Sequence, residues 1–198
     1  MIGLVDYGAG NLTSVIKGLT AVGGSVRVIA DPSELAGLTA IVIPGVGHFS
    51  ATARLDEAWR TAVRERIDAG VPLLGVCLGL QWLFEGSEEA PELGGLGLLS
   101  GRCFRLPDRV KVPHVGWNSL ENAGRSSRLL DNLPAGAMAY FTHSFAAPAV
   151  DATVAVTTHG AAFAAAIEQG RVFGTQFHPE KSGSTGLRLL ANFLEAAA

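Results

Sequence analysis

The chain has 198 residues, 48% of them hydrophobic and 17% charged, a composition that excludes a disordered chain and suits one folded domain with a large core. A formal net charge of −3 with no basic cluster gives nucleic acid no footing. No apolar run is long enough to span a bilayer, and the N-terminus opens on Ile2-Gly3-Leu4-Val5 instead of a basic patch and a long apolar stretch, so a cytoplasmic protein is expected.

In chain order, Ile2 to Asp6 reads as a strand, Leu12 to Val22 as a helix, Ser25 to Ile29 and Ala40 to Ile43 as strands, Leu55 to Ala69 as a helix, and Val71 to Val76 as a buried strand. Strands that are apolar along their whole length, separated by amphipathic helices, predict an α/β fold: an open, mostly parallel sheet covered on both faces. Ligands of such folds gather at the carboxyl ends of the strands. Three glycine-rich turns fall there: Asp6-Tyr7-Gly8-Ala9-Gly10-Asn11, Pro44-Gly45-Val46-Gly47 and a bend at Cys77. The second half changes character. Glycine and acidic residues predict loops from Glu85 to Gly101. A smaller antiparallel portion follows, with β-like pieces at Cys103–Leu106, Ala139–Phe141, Thr153–Thr157, Ala164–Glu168 and Val172–Gln176. A closing helix, Ser184 to Ala196, has Ser184 as its N-cap candidate and an apolar stripe of Leu187, Leu190, Ala191 and Leu194.

Cys77 stands in Pro72-Leu73-Leu74-Gly75-Val76-Cys77-Leu78-Gly79-Leu80-Gln81, a buried strand breaking into a helix with a glycine two residues to either side. Those glycines relieve the close backbone approach of a nucleophile elbow, whose central residue takes a strained conformation. At the start of the helix, free N–H groups favour a thiolate. A buried cysteine acting as a small hydrophobe is the competing reading. Near the C-terminus stands Phe173-Gly174-Thr175-Gln176-Phe177-His178-Pro179-Glu180. In an extended chain residues i and i+2 project to one side, so Glu180 can hold one ring nitrogen of His178. Thiol, imidazole and carboxylate together make a nucleophile, a base and its orienter.

The other motifs carry less. Gly8-Ala9-Gly10-Asn11 lacks the third glycine and the acidic residue of a dinucleotide fingerprint. Gly45 and Gly47 at a strand end can bring backbone N–H groups to an oxyanion, or simply make a tight turn. The five histidines show no zinc spacing. His143 is either a pocket residue or a structural hydrogen-bonder, His159 carries no functional signal, Trp117 is core or a surface anchor, and Cys103 reads as structural.

Gly75-Val76-Cys77-Leu78-Gly79 with a distant His178-Pro179-Glu180, on an α/β chain of this size, resembles the class I (triad) glutamine amidotransferases. The segments Asp6 to Asn11, Pro44 to Gly47 and Pro113-His114-Val115-Gly116-Trp117-Asn118 are similar to those of one branch, the glutaminase subunits of imidazole glycerol phosphate synthases. The resemblance implies a flavodoxin-like, mostly parallel sheet and a single amidotransferase domain over residues 1–198. It also implies hydrolysis of L-glutamine to glutamate and ammonia through a cysteinyl thioester. Carried onto matching positions, it makes Cys77 the nucleophile, His178 the acid and base, and Glu180 the orienter. Backbone N–H groups of Leu78 and Gly47 would form the oxyanion hole, and Gly45, Gln81, His143, Ser144 and Phe145 would hold the substrate. Phe145 stands where relatives often carry tyrosine, which leaves glutamine recognition there open. The resemblance further implies a heterodimer with a (β/α)₈ cyclase, which joins the ammonia to a phosphoribosyl-formimino nucleotide to give imidazole glycerol phosphate and aminoimidazole carboxamide ribotide in histidine biosynthesis. Asn11, Trp117, Tyr140 and Lys181 are the implied contacts, and no metal or organic cofactor is implied.

Three other readings stay open on the sequence. One is the glutaminase of a different pathway, such as anthranilate, carbamoyl phosphate, purine or pyridoxal phosphate synthesis. The others are a dienelactone-hydrolase-like cysteine hydrolase and a non-catalytic binding subunit that retains the fold.

Overall fold

A computed structural model describes residues 1–197. The first half supplies β1 (Ile2–Val5), α1 (Leu12–Ala21), β2 (Val26–Ile29), β3 (Ala40–Ile43), α2 (Glu57–Asp68), β4 (Leu73–Val76) and α3 (Leu78–Leu83). Then follow β5 (Phe84–Ser87), β6 (Ala90–Gly94), β7 (Leu99–Arg105), β8 (His114–Ser119), β9 (Glu121–Asn122), β10 (Met138–His143) and β11 (Phe145–Ala146). The chain continues through β12 (Thr153–His159), β13 (Ala161–Gln169), β14 (Val172–Thr175) and α4 (Gly183–Ala197).

The main sheet runs β2-β1-β3-β4-β14-β13-β12-β9. Its first five strands are parallel, and β13, β12 and β9 continue it antiparallel. β1, β3, β4 and β14 are buried at every position, which is why the first three read as unbroken apolar runs. β14, expected in the antiparallel portion, instead runs parallel to β4, because the chain turns back from β13 into β14. On one face Leu4, Val42, Leu74 and Phe173 pack with Val15 and Leu19 of α1 and Leu190 and Phe193 of α4. On the other, Ile41, Ile43 and Leu73 pack with Trp59 and Val63 of α2 and with Leu80 and Trp82 of α3. Among the described residues no helix is long and apolar enough to cross a membrane.

Glu85 to Gly101, expected as loops, instead holds β5, β6 and the start of β7, in a four-stranded sheet of order β11-β7-β5-β6. β6 is an edge strand with exposed Pro91 and Glu92, and its carbonyl at Pro91 accepts from Arg102 Nη2 at 3.0 Å. An edge tolerates proline and charge, so its sequence loses the apolar signature of a strand. β8 escaped notice for a related reason. It buries His114 and exposes Val115 and Trp117, which inverts the usual pattern. In the last helix Gly183 precedes Ser184, so Ser184 lies in the first turn, and Leu187 is exposed while Leu189, Leu190 and Phe193 are buried. Asn11 caps α1, its Oδ1 accepting from Ser14 N at 3.2 Å, which gives the Gly8–Asn11 turn a structural role.

Candidate active site

β4 enters α3 through Cys77, which has φ 52° and ψ −104°, one of two non-glycine residues with positive φ among those described. A β-carbon on Gly79 would lie 1.9 Å from the Ile43 carbonyl oxygen, and one on Gly75 would lie 2.8 Å from the Gly79 backbone. Only glycine at both positions lets the bend close this tightly against β3. The Cys77 amide donates to the Thr175 carbonyl of β14 at 2.7 Å, tying the elbow to the strand that leads to the histidine.

His178 follows β14. Its Nδ1 lies 2.9 Å from Glu180 Oε1, and the two side chains are 1% and 2% exposed. The spacing of two predicts an extended pair, but Pro179–Lys181 forms a 3₁₀ turn. The turn still brings Glu180 under the ring, and Gly18 of α1 leaves room for it: a β-carbon there would sit 3.4 Å from Glu180 Cβ. With the Nδ1 proton held by the carboxylate, Nε2 is left to the Cys77 sulfur and has no other hydrogen-bond partner. Burial on its own would lower the pKa of His178. The negative charge of the Cys77 sulfur, followed by Glu180, outweighs burial and raises it to about 10. α3 has only six residues, so this imidazolium, more than the helix, is the charge that faces the sulfur.

A cavity of about 270 Å³ opens over the elbow and is lined in part by Cys77, Leu78, Gly47, Gln81 and His143-Ser144-Phe145. Of the predicted substrate contacts, Gly45 alone is not part of its wall. It is buried beneath, where a β-carbon would lie 2.3 Å from the Tyr7 hydroxyl and 2.6 Å from Leu78 Cβ. Tyr7 Oη donates to the Pro44 carbonyl at 2.8 Å and so anchors the start of the turn. The Gly45 carbonyl accepts from the Leu78 amide at 3.4 Å, so one of the two predicted oxyanion donors already has a partner. Gly47 has φ 98°.

Gln81 Nε2 donates to the Phe145 carbonyl at 2.8 Å and to Gln176 Oε1 at 3.3 Å, leaving its Oε1 for a ligand. Gln176, which sequence reasoning passed over, turns its Nε2 to Cys77 Sγ at 3.6 Å. Glu89, Pro113 and Thr142 also line the cavity and were not predicted. Glu89 lies in a stretch read as loop, and no local pattern distinguished it. Its Oε2 accepts from Phe49 N at 2.7 Å, and it is the one ionisable carboxylate on the cavity wall.

The predicted partner contacts lie elsewhere. The Trp117 and Tyr140 rings meet edge to face at 6.1 Å, and Lys181 Nζ stands 6.0 Å from the Tyr140 ring. Trp117 and Lys181 are exposed, and with Val115 and Met138 the patch is largely apolar. It backs onto the histidine, because the Tyr140 carbonyl accepts from the His178 amide at 2.9 Å. Asn11 is exposed, and its neighbour Gly10 packs against Pro44. Cys103 is fully buried and, like Cys77, a free thiol; burial pushes its pKa up and keeps it protonated. No cluster of metal-ligating side chains occurs among the described residues.

An α/β sheet with a cysteine elbow beside a His–Glu pair matches a known class. The family profile described as "Glutamine amidotransferase class-I" covers residues 3–197, and the chain belongs to that family. The chain is 46% identical to the imidazole glycerol phosphate synthase subunit HisH of Moorella thermoacetica, over 98% of this chain and 94% of that protein. It is 44% identical to the subunit of the same name from Methanopyrus kandleri, over 100% and 98%. Within the class it groups with these HisH subunits. A crystal structure of a glutamine amidotransferase shares the fold, with a TM-score of 0.77 at 23% identity over 99% of this chain and 98% of that one.

Proposed function

We infer that this chain is the glutaminase subunit of an imidazole glycerol phosphate synthase and that Cys77, His178 and Glu180 carry its chemistry. The observation that carries the reading is the elbow itself: a cysteine held at positive φ in the floor of a cavity sized for an amino acid, beside a buried imidazole bonded to a carboxylate at 2.9 Å.

Cys77 as thiolate adds to the side-chain carboxamide carbon of glutamine. The tetrahedral oxyanion is met by the Leu78 and Gly47 amides, each donor of this kind contributing on the order of 10²–10³ in rate. His178, as imidazolium, protonates the amine so that ammonia rather than an amide anion departs, a step supplying on the order of 10²–10⁴. The neutral imidazole then takes a proton from water, which attacks the thioester and releases glutamate. Glu180 holds the ring tautomer throughout. Gln81 Oε1, Ser144 and the Phe145 segment hold the amino-acid end of the substrate. Glu89 suits its ammonium group. His143 contributes through the wall it supports, since both of its ring nitrogens are bonded within the protein.

The partner is a cyclase, read as a (β/α)₈ barrel in a heterodimer, docking on the patch of Trp117, Tyr140 and Lys181, with Asn11 as a further contact. An exposed apolar patch rimmed by polar groups is the usual mark of such a surface. No cofactor enters the scheme. The test is reconstitution with a cyclase subunit. Cys77→Ser abolishes product formation from glutamine and leaves formation from ammonium salts largely intact. A parallel loss of the ammonia-driven reaction in an assembled complex would overturn the division of labour.

A further inference from the structure

We propose that Asn118, His114 and His143 form a one-way chain of hydrogen bonds that positions the Phe145 carbonyl and Gln81 in the cavity wall, making all three positioning residues for the glutaminase reaction. The proposal rests on the reading that this cavity binds glutamine.

The direction of the chain is settled at both ends by backbone groups whose roles cannot change. Asn118 Oδ1 accepts from the Ser119 amide at 2.8 Å, and its Nδ2 donates to the Thr158 carbonyl at 3.1 Å. The amide orientation is therefore fixed, and the second Nδ2 proton points to His114 Nε2 at 3.3 Å. That nitrogen must carry a lone pair, so neutral His114 bears its proton on Nδ1. Nδ1 donates to His143 Nε2 at 3.1 Å. By the same logic His143 bears its proton on Nδ1, which lies 3.0 Å from the Phe145 carbonyl, a group that can only accept. Working backwards from Phe145 gives the same two tautomers.

Both rings are held neutral. Burial, then the neighbouring His159, lowers His114 to about 4. Burial is also the main cause that lowers His143 to about 3, with His114, His159 and His178 acting in the same direction. His114 is clamped between the rings of His159, stacked at 4.1 Å, and Phe141, at 4.9 Å. The second lone pair of the Phe145 carbonyl accepts from Gln81 Nε2 at 2.8 Å. Gln81 in turn reaches Gln176 Oε1, and Gln176 Nε2 reaches Cys77 Sγ. The chain thus starts on β8, one residue from exposed Trp117, and ends on the wall beside the nucleophile.

Aspartate at position 118 has the shape of asparagine but only accepts. It forces the His114 proton to Nε2 and the His143 proton to Nε2, and leaves the His143 Nδ1 lone pair facing the Phe145 carbonyl. Truncation to alanine removes the three hydrogen bonds of the amide but leaves the Phe145 carbonyl to hold both ring protons on Nδ1. Two measurements test this. Long-range ¹H–¹⁵N correlation spectra of the full chain, near neutral pH, are expected to show both rings with the proton on Nδ1. Steady-state glutaminase kinetics of the reconstituted complex should then show Asn118→Asp raising KM by about 5- to 10-fold, the scale of one lost hydrogen bond, with Asn118→Ala milder and kcat less affected in both. Aspartate also sets an oxygen against the Thr158 carbonyl, so a merely structural role is separated by the spectra of Asn118→Asp: the chain predicts both ring protons moved to Nε2, whereas a structural role leaves them on Nδ1. An Nε2-protonated ring in the unmodified chain, or an alanine variant as impaired as the aspartate one, overturns the proposal. The spectra decide the chain even if no glutaminase activity is found, which separates its failure from that of the functional reading.

Discussion

Replacement of Glu180 by glutamine removes one charge from a buried pair and little else, so its effect can be worked from the geometry. The carboxylate accepts from His178 Nδ1 at 2.9 Å with both side chains almost fully enclosed. Hydrogen bonds to a charged group are worth about 1.5–3 kcal/mol, and glutamine can restore only a neutral one at best. The imidazolium of the thiolate–imidazolium pair that enters acylation loses that support, so the reactive ion pair is less populated and the single-turnover acylation rate falls by up to about 10- to 150-fold at 1.36 kcal/mol per decade. His178→Asn removes the proton donor itself and should cost on the order of 10³-fold or more. The charge loss also has a sign in pH. Burial lowers the pKa of His178 and is outweighed by Cys77 and then Glu180, so removing Glu180 brings it down from about 10. The alkaline limb of the acylation profile, where the imidazolium deprotonates, therefore moves to lower pH. Rapid-quench measurement of glutamate formation across pH checks both effects. A Glu180→Gln variant slower than His178→Asn, or one whose alkaline limb moves upward, would refute the assignment of Glu180 as orienter.

Three further outcomes are expected. Gly79→Ala places a β-carbon 1.9 Å from the Ile43 carbonyl oxygen and should destabilise the fold by about 1–3 kcal/mol in urea titration, with kcat reduced. Gly94→Ala, whose nearest neighbour would lie at an ordinary 3.9 Å, should stay within about 0.5 kcal/mol of the parent. The Leu78 amide is bonded to the Gly45 carbonyl at rest, so the isolated chain should be a poor glutaminase. The cyclase, particularly with nucleotide bound, should raise kcat by on the order of 10²–10³, more than it lowers KM, as expected when an oxyanion donor is freed. Steady-state kinetics with and without partner decide this, and full kcat in the isolated chain would refute it.

Much of the fold was legible because it rests on local rules. Strands buried on both faces must be apolar throughout, which exposed β1, β3 and β4 in the sequence, and helical period marked α1 and α2. β14 reads only as a short piece of the second half, and its place as a parallel strand is decided by its pairing with β4. The polar edge strand β6 and the inverted strand β8 were missed because their side chains answer to an edge and to an outward apolar patch.

The same division runs through the site. Cys77 could be singled out from five residues, since a strained elbow demands glycines at fixed offsets, and His178 with Glu180 could be paired because they are two positions apart. Gln176 against Cys77, 99 positions away, could not be foreseen, nor could Glu89 on the cavity wall or the chain from Asn118 through His114 and His143. Steric requirements of the backbone act between near neighbours and leave a mark in the sequence. Hydrogen bonds between distant segments depend on strand order and register, and those exist only once β14 has docked beside β4 and β8 beside β10.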